Sequence, residues 1–380
     1  MESLGLMKES FNQAYRNKKV LITGHTGFKG SWLSLWLTLL GAEVIGFSLP
    51  PNTEPNLFNV LDLEKHLTSI IGDIRDKDTI EKVLNQYKPD FIFHLAAQPL
   101  VRRSYQEPLL TFETNIMGTV NLLEAVRKIN FEGVIVNITS DKCYENSGCT
   151  SSFKETDPMG GYDPYSASKG ASEIVTAAYR NSFFNPQSYG GFHKVALASA
   201  RAGNVIGGGD WSEDRLIPDI VRALNKKEEI IIRNPHAIRP WQHVMECISG
   251  YLLLGAKLYE NPTAYCEGWN FGSNKDSIMT VEEILLKSLE LWGSGNYKVI
   301  PENVLKEAAF LKLDITKAKE KLGWQPVYNI NQSLEKTISW YKNYYFQQSD
   351  MFEFTKNQLE EYVGILSPVL TSKIEGLQNV

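Results

Sequence analysis

The sequence predicts an α/β protein built on a doubly wound parallel (Rossmann) sheet, followed by a smaller mixed α/β C-terminal domain. Through the first two hundred residues, short β-branched and apolar segments alternate with helical patterns. Segments such as FIFHLAA and VIVNITS are apolar without alternation, which is typical of strands that helices bury on both faces. A glycine-rich turn joins the first of these strands to the first helix.

The alternation gives the order of the elements. Strands are expected at residues 19–24, 43–49, 67–73, 90–97, 134–140 and 195–201. Helices are expected at residues 32–40, 77–87, 115–128 and 165–179. In a sheet of this kind, ligands bind at the carboxyl ends of the strands.

The pattern changes after Arg201. A strand signal in EIIIRN, a helix at about 244–258 and a strand at about 269–271 follow. Thr280 and Glu283 have the spacing of a capping box, and a further helix is expected from about Thr316 to Gly323. We predict a Rossmann domain at residues 1–205, to which the chain returns at about 240–275, and a mainly substrate-binding domain at residues 206–380.

The composition is that of a globular protein without a basic surface. Of the 380 residues, 43% are hydrophobic and 22% are charged, with a net charge of −5. A surface that follows nucleic-acid phosphates is therefore not expected. No segment reaches the roughly 18 apolar residues of a membrane span, and MESLGLMKESFNQAYRNKK has no signal-peptide pattern. We expect a cytoplasmic protein that binds neither nucleic acid nor membrane.

No metal site is expected. The four cysteines contain no CxxC pair; they are Cys143, Cys149, Cys247 and Cys266. Cys143 and Cys149 are close enough for a disulfide, but reduced thiols are the better prediction for a cytosolic chain of this size. No second metal-ligating residue lies at a suitable sequence spacing from His25, His94 or His243. His94 lies inside an apolar strand, so we expect it to be a core or near-site residue and not a metal ligand.

The glycine run TGHTGFKG predicts a dinucleotide site because it follows a strand and precedes a helix. Gly24 is expected to allow the tight turn, Gly27 to let a pyrophosphate approach the backbone, and Gly30 to let the helix pack on the strand. The helix N-terminus then offers amide groups to the phosphates. A plain strand-to-helix turn is the alternative. The cofactor-binding residues predicted in this loop are Gly24, Thr26, Gly27, Phe28, Lys29 and Gly30.

The acidic residue that usually binds the adenosine ribose, about 20 residues past the loop, is missing. The segment there reads GFSLP, in which Ser48 is able to bond a ribose hydroxyl without excluding a 2′-phosphate. Lys29 would attract such a phosphate. We predict NAD in preference to NADP.

Tyr165 and Lys169 form a Tyr-x-x-x-Lys pair at the start of a predicted helix, where positions i and i+4 share a face. A nearby ammonium stabilises a phenolate, so we expect Lys169 to lower the pKa of Tyr165 and let it act as a base. Ser140 ends the preceding strand and adds a hydroxyl group. A surface helix with an unremarkable pair is the alternative, which the glycine loop disfavours.

Asp141 and Lys142 follow the serine and add two ionisable groups. A reductase or a 4-epimerase needs only the serine, tyrosine and lysine. The additional acid and amine therefore indicate a second proton-transfer step. The alternative for this pair is an ion pair in a loop.

These motifs resemble the extended branch of the short-chain dehydrogenase/reductase superfamily over nearly the whole chain, and within it the CDP-glucose 4,6-dehydratases. The segments that carry the resemblance are TGHTGFKGSWLSLWL, AAQPLVRRSY, NITSDKCY, PMGGYDPYS, RAGNVIGGGDW, NPHAIRPWQHV and GWNFG. The CDP-glucose enzymes have the same Asp-Lys pair, whereas the dTDP-glucose relatives have Asp-Glu at these positions. The resemblance implies NAD as cofactor and CDP-glucose as substrate.

The resemblance also implies a reaction, with a role for each catalytic residue. Tyr165 accepts the proton of the 4-hydroxyl as carbon 4 is oxidised, Ser140 supplies a hydrogen bond, and Lys169 holds the cofactor ribose. Water then leaves across carbons 5 and 6, with Asp141 protonating the 6-hydroxyl and Lys142 assisting removal of the proton at carbon 5. Hydride returns to carbon 6, which gives a 4-keto-6-deoxy sugar.

Further residues are assigned by the resemblance to cofactor and substrate. Asp73 and Ile74 are expected to flank the adenine; Ala96, Ala97 and Gln98 are expected to run beside the cofactor. The candidates for the substrate are Arg102, Arg201, Asn204, Arg215 and Arg239. For any one arginine, a surface salt bridge is an equal alternative. Lys306 departs from the pattern, because a histidine is expected there in relatives, in a segment that the resemblance places near the nucleotide base.

The resemblance leaves alternatives and implies an assembly. Another nucleotide-sugar dehydratase, a 4-epimerase, and a regulator that lost catalysis are the competing interpretations. Relatives form a dimer contact through the helices expected at 115–128 and 165–179, so we expect a homodimer or a dimer of dimers. The expected pathway is dideoxysugar synthesis for surface polysaccharide, such as the O-antigen of lipopolysaccharide.

Overall fold

A seven-stranded parallel sheet forms the centre of the protein in a computed structural model that describes residues 10–146, 152–274, 277–300 and 311–377. Its strands are β1 (Lys19–Thr23), β2 (Glu43–Ser48), β3 (Thr68–Ile71), β4 (Phe91–His94), β5 (Glu132–Ile138), β6 (Lys194–Arg201) and β7 (Gly268–Asn270). The strand order is β3–β2–β1–β4–β5–β6–β7. The order reverses between β1 and β4, which is where such sheets bind ligands. The predicted fold class is confirmed.

The six strands predicted in the first two hundred residues are all present, with different ends. The largest difference is in β4, which was expected to reach residue 97 and ends at His94. Beyond His94, the backbone amide of Ala96 donates to the Thr23 hydroxyl at 3.2 Å, and that of Gln98 donates to Asn115 Oδ1 at 2.8 Å. Side-chain acceptors therefore replace the neighbouring strand, and the chain leaves the sheet.

Helices cover both faces of the sheet. The longer ones are α1 (Phe28–Leu39), α2 (Lys77–Tyr87), α3 (Gly118–Lys128), α4 (Pro164–Ser182), α5 (Leu216–Lys226), α6 (Val244–Glu260), α7 (Val281–Trp292), α8 (Ile330–Lys342) and α9 (Met351–Leu377). Shorter helices lie at Leu57–Val60, Val101–Gln106 and Pro108–Phe112. The helix predicted at 115–128 begins as a π-helical turn, Glu113–Met117, before α3. Among the described residues, no helix is long and apolar enough to cross a bilayer.

Three small sheets follow β6 in the C-terminal half. Val205–Ile206 pairs with Gln242–His243, Ile238–Pro240 with Ile278–Thr280, and Ile230–Ile232 with Tyr297–Val299. The predicted capping box at the start of α7 is confirmed, because the Thr280 hydroxyl accepts from the Glu283 amide and the Glu283 carboxylate accepts from the Thr280 amide.

The C-terminal half also supplies the last strand of the central sheet. Strand β7 pairs with β6 at the edge of that sheet. The division of the chain into two domains at residue 205 stays a prediction.

Alternation along the strands divides the core into two layers. Val20 and Ile22 of β1 belong to the larger apolar cluster, whereas Leu21 belongs to the cluster on the opposite face. All three side chains are completely buried. This burial on both faces agrees with the unbroken apolar segments of the sequence.

A buried carboxylate connects the C-terminal helix to the layer that covers the sheet. Glu246 of α6 accepts hydrogen bonds from the amides of Val327 (3.0 Å) and Tyr328 (2.6 Å) and from the Tyr362 hydroxyl of α9 (2.7 Å). Burial raises the pKa of Glu246 to about 7, although these donors partly offset the effect. The three donors supply the bonds that a carboxyl group loses when it leaves water.

Candidate active site

The glycine loop passes so close to the sheet that two of its positions have no room for a side chain. Gly24 has a φ of +80°, and a Cβ there would lie 2.9 Å from the Ala96 amide nitrogen. A Cβ on Gly30 would lie 2.0 Å from the Gly24 carbonyl oxygen. The positive φ agrees with the tight turn predicted at Gly24, and the second contact agrees with the close packing of the helix predicted at Gly30. Ala96 therefore lies directly against the loop.

The start of α1 fits a pyrophosphate. Gly27 precedes the helix in an extended conformation and provides no side-chain cap for its first amide groups. Those amides and the positive end of the helix dipole are the groups that bind phosphates at helix N-termini. The loop therefore meets the geometric requirement for the dinucleotide predicted from the sequence.

The residues predicted around the adenosine form contacts with one another or with neighbouring residues. The Ser48 and Thr26 hydroxyls are 2.9 Å apart at the end of β2. The Asp73 carboxylate accepts from Arg75 Nη2 at 2.6 Å, and this hydrogen bond outweighs burial to lower the pKa of Asp73. Ile74 packs where a Cβ on Gly118 would lie. The assignment of Ser48, Asp73 and Ile74 to the cofactor stays a prediction.

The side chain of Gln98 is engaged within its own loop, and its place beside the cofactor stays a prediction. Its Oε1 accepts from the Leu100 amide at 2.7 Å, and its Nε2 donates to the Leu100 carbonyl at 3.0 Å and the Thr111 hydroxyl at 2.9 Å. Both ends of the amide are used. Gln98 thus shapes the turn that brings Pro99 and Leu100 to the cavity wall.

The predicted catalytic residues lie together at the carboxyl end of β5. The Ser140 hydroxyl donates to Asp141 Oδ1 at 3.0 Å and is hydrogen-bonded to the Tyr165 hydroxyl. Lys142 Nζ lies 3.9 Å from Asp141 Oδ1. Tyr165 sits in the first turn of α4, which Asp163 caps by accepting from the Ser166 amide. A chain of contacts therefore joins the phenol, the hydroxyl, the carboxylate and the amine.

The ionisation of the Tyr165–Lys169 pair differs from the prediction. Burial raises the pKa of Tyr165 to about 12; the Ser140 hydrogen bond lowers it and the Asp141 carboxylate raises it. Burial, with the nearby ammonium of Lys29, lowers the pKa of Lys169 to about 8. The expected lowering of the Tyr165 pKa by Lys169 is wrong for the protein chain alone, because the loss of hydration outweighs the favourable contacts.

Asp141 is held from the opposite side by the loop that follows β6. Asn204 Nδ2 donates to Asp141 Oδ2 at 3.3 Å. A Cβ on Gly203 would lie 1.8 Å from that same oxygen. Asn204 has a φ of +50°, a left-handed conformation that asparagine tolerates better than most residues. Gly203 was missed in the sequence, although the glycine in RAGN was visible there.

A cavity of about 720 Å³ opens at these residues. That volume lies within the range of small-molecule sites. Its catalytic end is lined by Ser140, Asp141, Lys142, Tyr165, Gly203 and Asn204, and its cationic side chains include Lys29, Arg102, Arg215, Arg233 and Arg239. Asp210 and Asp214 lie among these cations: Arg215 Nη1 is 2.9 Å from Asp210, and Arg233 Nη2 is 3.0 Å from Asp214.

The family model described as GDP-mannose 4,6 dehydratase matches residues 21–337. The chain belongs to this dehydratase family. A curated CDP-glucose 4,6-dehydratase from Salmonella typhimurium is 49% identical over 351 residues, which cover 92% of this chain and 97% of that protein. A dTDP-glucose 4,6-dehydratase from Xanthomonas campestris is 27% identical over 341 residues, covering 84% and 92%.

A solved dTDP-glucose 4,6-dehydratase has the same fold as this protein. The dTDP-glucose 4,6-dehydratase of Streptomyces venezuelae, solved with NAD bound, superposes with a TM-score of 0.73 at 24% identity. The match covers 88% of this chain and 99% of that one.

Three of the four predicted substrate arginines line the dehydratase cavity, and Arg201 does not. Arg102, Arg215 and Arg239 contribute to the wall. Arg201 is buried behind it, where Nη2 lies 2.9 Å from the Glu173 carboxylate. Its guanidinium is enclosed by protein, so the predicted contact with a substrate phosphate is wrong. Arg233 was missed, because the segment EIIIRN indicated only a strand.

The three histidines considered as metal ligands and the described cysteines are buried; they are His25, His94, His243, Cys143, Cys247 and Cys266. His94 is confirmed as a core residue: its Nδ1 and Nε2 lie 2.7 Å and 3.2 Å from the hydroxyls of Thr23 and Thr119. In the described part of the chain, no group of three or more histidine, cysteine or acidic residues is placed to hold a metal ion. Cys143 is buried and unpaired with another cysteine, while Cys149 and Lys306 lie outside the described residues.

We expect Gly203→Ala to disable the dehydratase while leaving it folded. The new methyl group would occupy the position of the Asp141 carboxylate, and displacements of about 1 Å cost on the order of 10²-fold in rate. Water loss from the nucleotide-sugar substrate measures the effect.

Gly191→Ala is the matched control, because a Cβ there would only contact the Ser188 carbonyl at 3.7 Å. Both variants should show circular-dichroism spectra like that of the parent protein. A wild-type kcat for Gly203→Ala would show that the Asp141 position is unimportant.

Proposed function

We propose that this protein is an NAD-dependent CDP-glucose 4,6-dehydratase, a hydro-lyase that converts CDP-D-glucose to CDP-4-keto-6-deoxy-D-glucose. The observation that carries the proposal is the placement of Asp141 and Lys142 beside Ser140 and Tyr165 at the end of the cavity. An acid and an amine are present beyond the groups that sugar oxidation needs. The 49% identical relative, whose name is CDP-glucose 4,6-dehydratase, supports the substrate.

The residues of the glycine loop fit NAD. Gly24 and Gly30 pack the loop against the sheet, Gly27 places no side chain at the start of α1 where a pyrophosphate would bind, and Lys169 is a buried cation suited to the nicotinamide ribose. When bound, NAD would accept a hydride from carbon 4 of the sugar and return it to carbon 6. Relatives of the same fold solved with NAD support this cofactor in preference to NADP.

We assign Tyr165 as the base that accepts the proton of the 4-hydroxyl. The Ser140 hydroxyl is hydrogen-bonded to the phenol and is the second polar group of this step. The Lys169 ammonium, one helical turn later, favours the phenolate once the pair is aligned. These residues form the acid/base system of the oxidation step.

We assign Asp141 and Lys142 to the second step, in which water is eliminated across carbons 5 and 6. A ketone at carbon 4 acidifies the proton at carbon 5, which Lys142 removes while Asp141 gives a proton to the 6-hydroxyl. One proton from carbon 5 and one hydroxyl from carbon 6 leave the sugar, and the sum is one water.

The cationic side chains of the cavity are assigned to the nucleotide diphosphate. Arg215 and Arg239 lie in the cavity wall, as does Arg102 of the short helix Val101–Gln106. Guanidinium groups bind phosphates through paired hydrogen bonds. Asn204 contributes an amide at the boundary between the sugar and phosphate regions.

Mass spectrometry in deuterated water tests the proposed reaction. The protein, NAD and separate CDP-, dTDP-, UDP- and GDP-hexoses should give loss of one water from CDP-glucose, with one deuterium gained at carbon 5. Loss of water from another nucleotide sugar alone would keep the reaction and contradict the CDP preference. If no substrate loses water, a 4-epimerase or a regulator without this activity is the better account.

Replacing Lys142 with methionine should separate the two halves of the reaction. Removing the general base is expected to slow elimination by about 10² to 10⁴-fold, while the first hydride transfer, which relies on Tyr165, is largely kept. Reduced-nicotinamide absorbance in a single turnover reports the first step, and water loss reports the second.

Lys194→Met is the matched control, since Lys194 lies on the surface and pairs with Glu132 at 3.0 Å. It should behave as the parent protein does in both measurements. Full turnover by Lys142→Met would rule out its assignment as the base.

We further propose that the protein acts in the cytoplasm as a homodimer, feeding dideoxysugar synthesis for surface polysaccharide. An exposed apolar surface beside α3 and α4 supports the dimer; its residues are Leu109, Phe112, Met117, Ile174 and Phe183. Leu109 is 70% exposed and Ile174 is 58% exposed, which is costly for an unpaired surface.

A dimer is expected in analytical ultracentrifugation at micromolar concentration, and Ile174→Glu should shift it to monomer. A monomeric parent protein would contradict the proposal.

A further inference from the structure

Glu173 is a buried carboxylate on the same helix as the catalytic tyrosine and lysine. It lies one helical turn after Lys169 and accepts hydrogen bonds from Arg201 Nε at 2.9 Å, from the Ser199 hydroxyl at 2.6 Å and from the Thr139 hydroxyl. Burial would raise the pKa of Glu173, but the Arg201 guanidinium and the hydroxyl donors bring it below its usual value. The ionised carboxylate is therefore fully satisfied.

Arg201, the partner of Glu173, is equally enclosed. Its Nη1 donates to the Tyr144 hydroxyl at 2.6 Å, and that hydroxyl donates to Asn270 Oδ1 at 2.7 Å. The guanidinium carbon also lies 5.1 Å from the centre of the Tyr144 ring. A Cβ on Gly268 would come within 2.4 Å of Nη2. The ion pair has no space in which to move.

The contacts of this ion pair surround the catalytic segment on both sides. Thr139 immediately precedes Ser140, and Tyr144 lies two residues after Lys142. Arg201 itself lies two residues before Gly203, which packs against Asp141. The pair thus joins the end of β5, the end of β6 and helix α4.

We propose that the Glu173–Arg201 ion pair, acting through Tyr144 and Thr139, positions Asp141 and Lys142 relative to Tyr165 and so controls the elimination step. The inference rests on the proposed dehydratase function and deepens it. Tyr165 and Lys169 lie on one helix and keep their mutual geometry without the pair. Asp141 and Lys142 lie on a separate segment, whose distance from that helix depends on it.

Substrate binding should depend on the pair much less. The cations assigned to the diphosphate, Arg102, Arg215 and Arg239, lie in the cavity wall and do not include Arg201. Loss of the positioning contacts should therefore lower kcat with little change in KM. A contribution to folding alone would lower the melting temperature and leave the kcat of the folded protein unchanged.

Tyr144→Phe is the most selective test. It removes the hydroxyl that Arg201 contacts but retains the ring, which stacks on Phe153 with centroids 5.0 Å apart. We expect kcat for water loss to fall at least about tenfold, KM to change less than about threefold, and single-turnover nicotinamide reduction to stay close to the parent rate. Glu173→Gln should lower kcat further, but the Glu173 charge also raises the pKa of Lys169, so this variant should slow nicotinamide reduction as well. Tyr144→Phe is therefore the variant in which the two rates are compared.

Tyr15→Phe is the matched control, because its buried hydroxyl donates to the Leu252 carbonyl at 2.6 Å in the core and makes no contact with the active site. It should lower the melting temperature and leave kcat unchanged. All variants are compared with the parent on whichever nucleotide sugar it dehydrates, so failure of the CDP assignment does not affect the comparison.

The outcomes separate positioning from stability alone. A Tyr144→Phe protein that loses thermal stability but keeps its kcat, as the Tyr15→Phe control should, would overturn the proposal. Equal losses in nicotinamide reduction and water loss would also overturn it, because the pair would then support the whole site. If Glu173→Gln does not fold, Tyr144→Phe alone still decides.

Discussion

The ion pair between Glu173 and Arg201 is the interaction on which the geometry of the catalytic end depends. Burying two charges is costly unless each finds all of its partners. Here Thr139, Ser199 and Tyr144 provide them, and each comes from an element that ends at the site. A satisfied polar network of this kind allows few alternative arrangements. The apolar layers of the sheet hold the strands together, and the network fixes how their ends meet.

Much of this architecture could be predicted because its signals are local. The strands are apolar without alternation, and helix α2 has the predicted bounds. The glycine loop has a fixed order of strand, turn and helix, and its close packing follows from steric limits on Gly24 and Gly30. Ser140, Asp141 and Lys142 were recognised as a group because they are adjacent in sequence and follow a buried strand. These features need no knowledge of distant contacts.

The predictions that were wrong depended on contacts between distant residues. Arg201 has the chemistry of a phosphate ligand, but Glu173, far away in the chain, binds it behind the cavity. The direction of the Tyr165 pKa shift depends on burial, which residue spacing does not reveal. Arg233 lines the cavity because of how the C-terminal half folds, which its local sequence does not reveal.

The hydrogen bonds of Glu246 bear on the order in which the protein completes its fold during synthesis. This carboxylate in α6 pairs with the backbone at residues 327–328 and with the Tyr362 hydroxyl near the end of the chain. Until the ribosome has released those segments, the layer over one face of the sheet contains an acid without its donors. The nascent chain therefore cannot reach its final packing from the N-terminal side alone, and the last helix closes the core after all the catalytic residues have been made.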